Sequence, residues 1–181
     1  MIYVLLADGF EEVEALAPVD IMRRCNIDVA TAGVGGKEIC GSHSIKVVAD
    51  MTAEEIDFDT VSGIVLPGGM PGTINLQQND TVQELLKYCM EKNILVSAIC
   101  AAPMILGDAG YLNGRSAVCF PGFEEHLTGA DVMNESVVAS GNIITAKGAG
   151  AALEFGAAIV NYIKGKQGEG EEILSQMQYK F

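Results

Sequence analysis

Apolar, β-rich runs alternate with helix-patterned segments along almost the whole sequence, and this alternation limits the fold more than any other feature. Ile2–Ala7 reads as a first strand, and "GFEEVEALAPVDIMRRC" follows with Phe10, Val13, Ala17 and Ile21 at helical spacing. Pro18 falls inside that pattern, so a kink or a free carbonyl is expected there. Ile27–Ala32 is the second predicted strand, and Gly33, Gly35 and Gly36 turn the chain into a short excursion through His43 and Val48. "VSGIVLPGG" is a buried parallel strand entering a glycine-rich loop. "TVQELLKYCMEKN" offers Thr81 as an N-cap and Val82, Leu85, Leu86 and Cys89 as one apolar face. "ILVSAIC" is the next strand and "AAPMILGDAG" the next helix, while "RSAVCF" is a short strand that contains Cys119. "VVASGNIITAKG" is a hairpin turning at Ser140–Asn142, "AALEFGAAIVNYIKG" is a strongly apolar helix, and Glu171–Gln178 forms a last surface helix.

Strands and helices in this order predict a mostly parallel sheet with helices on both faces. No linker or repeat interrupts the 181 residues, so one domain spanning 1–181 is expected. Ligands of such sheets bind beyond the C-terminal strand ends, which singles out the loops after Ala7, Leu66 and Ile99.

Composition removes several function classes. Acidic residues number 24 against 11 basic ones, and a net charge of -13 repels phosphate backbones, so no nucleic-acid partner is expected. No apolar stretch is long enough to cross a bilayer, and "MIYVLLADGFEE" turns acidic where a signal peptide would not. No membrane association is therefore expected, and the expected compartment is the cytoplasm. Five cysteines without a C-x-x-C pair and only two histidines argue against a disulfide framework and a zinc cage. No metal or cofactor is expected.

Cys100 differs from the other cysteines in its neighbourhood. It ends a strand, and Ala101 and Ala102 begin the next helix, an arrangement that exposes a nucleophile on a sharp turn among small residues. A helix N-terminus beneath the sulfur would favour thiolate over thiol. The amide of Ala101 and one from Gly68 or Gly69 could converge there as an anion hole. Cys100 is equally readable as a small buried hydrophobe. Glu11, Glu12 and Glu14 all suit the start of the first helix, where the dipole favours negative side chains, and on pattern alone this reading leads; Glu14 fits it less well than the other two, because it lies against the apolar arc. A carboxyl held there would be desolvated, its pKa raised, and able to exchange a proton with a thiol. Packing accounts for Cys25, Cys89 and Cys119, and Cys40 is the more exposed of the rest.

"LLADGFEEVEALAPVDIMRR", "IVLPGG", "SAICAAP" and "EFGAAIVNYI" occur in the order and spacing of the DJ-one/ThiJ/PfpI superfamily, which the chain resembles from Ile2 to about Lys164. The resemblance implies a flavodoxin-like three-layer sandwich with a nucleophile elbow, commonly a homodimer with the site near its interface. It puts the reactive cysteine on Cys100, a protonated carboxylic partner on Glu14, anion-hole amides on Gly69 and Ala101, and the turn on Gly68. Implied activities are a cofactor-free glyoxalase or protein deglycase acting on small 2-oxoaldehydes, with a role in stress protection. Redox sensing through a cysteine sulfinate and chaperone-like holding are the alternatives. Three departures matter. Ala101 stands where the protease-like branch has a histidine, which counts against a peptidase or amidase. Phe120 replaces a histidine of the animal members, and "GAGA" from Gly148 to Ala151 lacks the family's hydroxyl. An arginine of the family falls on His43, which could add an accessory donor or base and is otherwise an exposed loop histidine; His126 is a surface residue without a catalytic role.

Overall fold

A computed structural model describes residues 1–180. The chain runs through β1 (Ile2–Leu6), α1 (Glu12–Arg24), β2 (Val29–Gly33), the hairpin β3 (Glu38–Cys40) and β4 (Lys46–Val48), and β5 (Met51–Thr52). It continues through β6 (Gly63–Leu66), α2 (Gly72–Gln78), α3 (Asp80–Glu91), β7 (Leu95–Ile99) and α4 (Pro103–Asp108). The last part holds β8 (Ser116–Ala117), β9 (Asp131–Val132), β10 (Val137–Ser140), β11 (Ile143–Ala146), α5 (Ala152–Lys164) and α6 (Glu169–Gln176). Seven strands form one sheet in the order β10-β11-β7-β6-β1-β2-β5. All its pairings are parallel except β10 with β11, the expected hairpin, whose turn passes through Gly141 at φ 64.

Side-chain alternation along the strands divides the core into two layers. Tyr3, Leu5, Ile64, Leu66, Val96 and Ala98 face α3 and α4, whereas Ile2, Val4, Leu6, Val65, Leu95 and Ile99 face α1, α5 and α6. This is the flavodoxin-like sandwich expected. Crossover helices on both faces bury the parallel strands from both sides, which is why these runs are apolar without alternation. No helix among the described residues is long and apolar enough to cross a membrane.

The sequence expectations fail at several local points. The apolar stripe of α1 is not the predicted one: Val13 is 52% exposed, while Ala15, Pro18, Val19, Ile21 and Met22 are buried. The reason is the neighbour. A Cβ on Gly156 of α5 would lie 3.2 Å from the Pro18 Cα, so the two helices meet at Pro18 itself. Pro18 breaks neither the helix nor its packing. Asn79, not Thr81, caps α3, its Oδ1 accepting the Val82 N–H at 3.0 Å. β8 stops at Ala117, which leaves Cys119 buried in the loop beyond it. His126 is half-buried rather than free on the surface, with Nδ1 3.0 Å from Asp108 Oδ1. α4 begins at Pro103, so Ala101 and Ala102 form a turn and not its first residues.

Candidate active site

The three strand-end loops picked out in the sequence meet at one place. The Glu11 N–H donates to the Gly68 carbonyl at 2.9 Å, joining the loop after β1 to the loop after β6. Cys100 follows β7 with φ 64, a left-handed conformation uncommon for a residue with a side chain. Both its backbone groups are pinned: its N–H donates to Ala146 O at 2.9 Å, and its carbonyl accepts the Phe120 N–H at 2.8 Å. A β-carbon on Gly68 would fall 2.6 Å from the Cys100 Cβ and 2.7 Å from Glu14 Oε2. Only glycine fits between those two side chains.

Glu14 approaches from α1 and is 1% exposed. Its Oε2 accepts the Gly68 N–H at 2.9 Å. Its Oε1 is buried without a partner of ordinary hydrogen-bond geometry, although the carboxyl group and the Cys100 sulfur interact. Burial, aided by the charge of Glu11 and opposed by the contacts to Cys100 and Gly68, raises the Glu14 pKa to about 7. The Ala101 and Gly69 amides lie close enough to the sulfur to favour its thiolate. Cys100, Glu14, Gly68, Gly69 and Ala101 are therefore assembled in one place.

One electrostatic expectation is reversed. The thiol of Cys100 is pushed up to about 12 by burial and then by the charge of Glu14, against the two amides. A favourable helix end is weak here, because α4 has six residues and starts three positions beyond the sulfur. The two groups form a coupled pair, in which thiolate forms readily only when the proton sits on Glu14.

His43 is not part of this cluster. Its backbone N–H donates to Glu12 Oε1 at 2.9 Å, its Nδ1 lies 3.0 Å from Glu12 Oε2, and its side chain is 67% exposed. Glu12 is more than the dipole complement expected from sequence: it is buried and also accepts the Ile45 N–H at 3.4 Å. Burial opposes its ionisation, but the hydrogen bonds from His43 and Ile45 prevail and hold its pKa at about 2. Phe120 is exposed, next to Gly148, and borders a 460 Å³ cavity with Lys147 and the Gly148–Ala151 run.

A left-handed cysteine at a strand end, with a buried glutamate and two amides converging on it, is the arrangement on which the comparisons bear. Residues 1–162 match the model of the DJ-1/PfpI family. The chain belongs to the DJ-1/PfpI family. It is 34% identical over 167 residues to protein dj-1beta of Drosophila melanogaster, covering 91% of this chain and 89% of that protein. Protein DJ-1 homolog B of Arabidopsis thaliana is 36% identical over 168 residues, covering 92% of this chain; the match spans only 38% of that longer protein. A protein named as a deglycase, from Pyrococcus abyssi, is 32% identical over 149 residues, covering 81% of this chain and 89% of its own. Among solved structures, Drosophila DJ-1beta superposes with a TM-score of 0.93 at 30% identity, covering 99% of this chain and 98% of that one. An oxidized form of Toxoplasma gondii DJ-1 also gives 0.93, at 28% identity and with the same coverage of each chain.

Proposed function

We propose that this chain is a cofactor-independent glyoxalase or deglycase-type enzyme acting on methylglyoxal-like 2-oxoaldehydes or their adducts, in a stress-protective role in the cytoplasm. One observation carries the reading: Glu14 Oε1 is buried without a donor beside a sulfur that receives the amides of Gly69 and Ala101. A bare carboxylate oxygen there is costly, whereas a protonated one donates its O–H to a thiolate and satisfies both groups.

The Cys100 sulfur adds to the aldehyde carbon, forming a C–S bond while the carbonyl electron pair moves onto oxygen. The two amides hold that oxyanion as it develops. Glu14 gives it a proton, then removes the hydrogen of the former aldehyde carbon and delivers it to the adjacent carbon, while the new hydroxyl's proton passes to the neighbouring ketone oxygen. The product is a 2-hydroxyacyl thioester; water cleaves the C–S bond, releasing the hydroxy acid and restoring the sulfur. Every step is a proton transfer or an addition at carbonyl carbon, with no net redox change and no cofactor. Lactate formation from methylglyoxal tests the scheme, and full activity in Cys100→Ser would sink it.

A homodimer belongs to the same reading. It is supported by apolar side chains left in solvent on α1 and on the adjoining hairpin: Val13, Leu16, Ile45 and Val48, the last 74% exposed. Sedimentation velocity checks it, with a monomer at micromolar concentration as the contrary result.

A redox-sensing role is the alternative, with chaperone-like holding as a further output of the same family. It is favoured by the amide pair, since a site built for an oxyanion also receives a sulfinate. Mass spectrometry after mild peroxide treatment separates them: sensing requires Cys100 to oxidise ahead of the other four cysteines. Peptidase or amidase chemistry has the least support, because residue 101 is alanine and His43 is engaged by Glu12.

A further inference from the structure

We propose that Glu11, Glu12 and His43 form a binding site for one divalent transition-metal ion of the zinc class, clasping the start of α1 to the β3–β4 hairpin. Ligand atoms from the three residues all lie within 4.8 Å of one another. The separations suit chelation. His43 Nδ1 is 3.0 Å from Glu12 Oε2 and 3.5 Å from Glu11 Oε1. Ligands bound at roughly 2.0–2.2 Å and subtending tetrahedral or octahedral angles stand about 3 to 3.5 Å apart. Ser42 Oγ, 3.1 Å from Nδ1 and 3.3 Å from Glu12 Oε2, borders the same space.

The charge around the site also calls for a cation. Among the described residues, no lysine or arginine forms an ion pair with Glu11 or Glu12, and His43 is their shared counter-charge. Two carboxylates side by side, one of them buried, thus share a single imidazole as their side-chain counter-group, a place where a divalent ion can bridge all three.

The ligands are also pre-positioned. Glu12 is fixed by the backbone amides of His43 and Ile45, and Gly41 lacks the β-carbon that would collide with its carboxylate. Backbone donors that orient a ligating carboxylate are the usual outer support of a metal site. The imidazole selects against magnesium and calcium, which prefer all-oxygen sites. Spacing along the chain excluded a cysteine–histidine cage, but it could not register a site assembled from two segments about thirty residues apart. Binding breaks the Nδ1–H bond where His43 is protonated, forms Nδ1–metal, and releases that proton to solvent.

The test is titration of the metal-free full chain with Zn²⁺ and with Co²⁺, in the wild type, His43→Ala, a Glu11→Gln/His43→Gln double variant, and Cys100→Ser. One equivalent is expected to bind the wild type and Cys100→Ser alike, and to raise Tm. Both histidine variants should lose at least about tenfold in affinity and lose the Tm rise. The Co²⁺ spectrum should lack thiolate-to-metal charge transfer, and a large excess of Mg²⁺ should not compete. Unchanged Zn²⁺ affinity in either histidine variant would overturn the site. So would a thiolate band that disappears in Cys100→Ser, which would put the metal on the elbow cysteine instead. Because lactate formation plays no part in these readouts, the metal site and the enzymatic reading fail separately.

Discussion

Glu12 and Glu14 stand two residues apart in the first turn of α1, both are buried, and their environments drive them in opposite directions. Glu12 faces the β3–β4 hairpin, where three donors from His43 and Ile45 meet its carboxylate and hold its pKa near 2. Glu14 faces the elbow, where one amide and a sulfur meet it and burial lifts it to about 7. The charge of each glutamate is therefore set by two things together: how deeply the carboxyl is desolvated, which is more for Glu14, and how many donors wait for it, which is more for Glu12. One side of the turn is a structural anion and the other a proton reservoir.

Substitution on the hairpin side should change stability with little effect on activity, whereas substitution on the elbow side should remove activity. The largest effect is expected on the elbow side: Cys100→Ser should reduce lactate formation from methylglyoxal to the uncatalysed level. Glu14→Gln, which keeps the shape and removes the transferable proton, should lower kcat/KM by about 10²- to 10⁴-fold. Gly68→Ala comes next, because its new methyl group would meet both Cys100 and Glu14; a loss in kcat without global unfolding, checked by circular dichroism, is expected.

Smaller effects read stability, and their pH dependence has opposite signs. Glu12 is depressed below its ordinary 4.5, so its contribution is present above that value and is lost as pH falls towards 2. Glu12→Gln should therefore cost about 1 to 2 kcal/mol near neutrality in urea unfolding, less than the full shift because part of the site is screened by solvent. That cost should shrink on acidification, and kcat should change little. Glu14 is raised, so the folded chain keeps a proton that the unfolded chain gives up, and stability is lost as pH climbs from 4.5 to about 7. Glu14→Gln should gain on the wild type over that interval, by up to about 3 kcal/mol. The same slope in both variants would erase the contrast.

The same two residues show how far the sequence could be read. The alternation of strands and helices was sufficient for a parallel sheet covered on both faces, whereas the apolar run ending in Cys100 and two alanines left a nucleophile and a buried hydrophobe equally open until the family resemblance was added. Glu14 was legible because a carboxylate sat beside apolar neighbours, even though the stripe itself was misjudged. Val13 turned out exposed and Pro18 buried, since a glycine on α5 decides how closely α1 can approach. Glu12 was not legible, because its donors, the His43 side chain and the backbone amides of His43 and Ile45, lie about thirty residues away and meet it only through the fold. The raised thiol of Cys100 has a related origin: burial at the strand end comes first and the charge of Glu14 across the Gly68 gap second, and neither is written in the local sequence.

Thiolate absorbance of Cys100 near 240 nm, isolated by subtracting the signal of a matching Cys100→Ser protein and followed against pH in the wild type and in Glu14→Gln, tests the shared proton most directly. The wild type is expected to titrate in two steps, a partial thiolate signal near pH 7 and a second rise towards about 12, because one proton is divided between two groups. Glu14→Gln should show one complete step, since its amide cannot hold the second charge. A single step at an ordinary cysteine value in both proteins would contradict the coupled pair, and with it the chemistry assigned to Cys100.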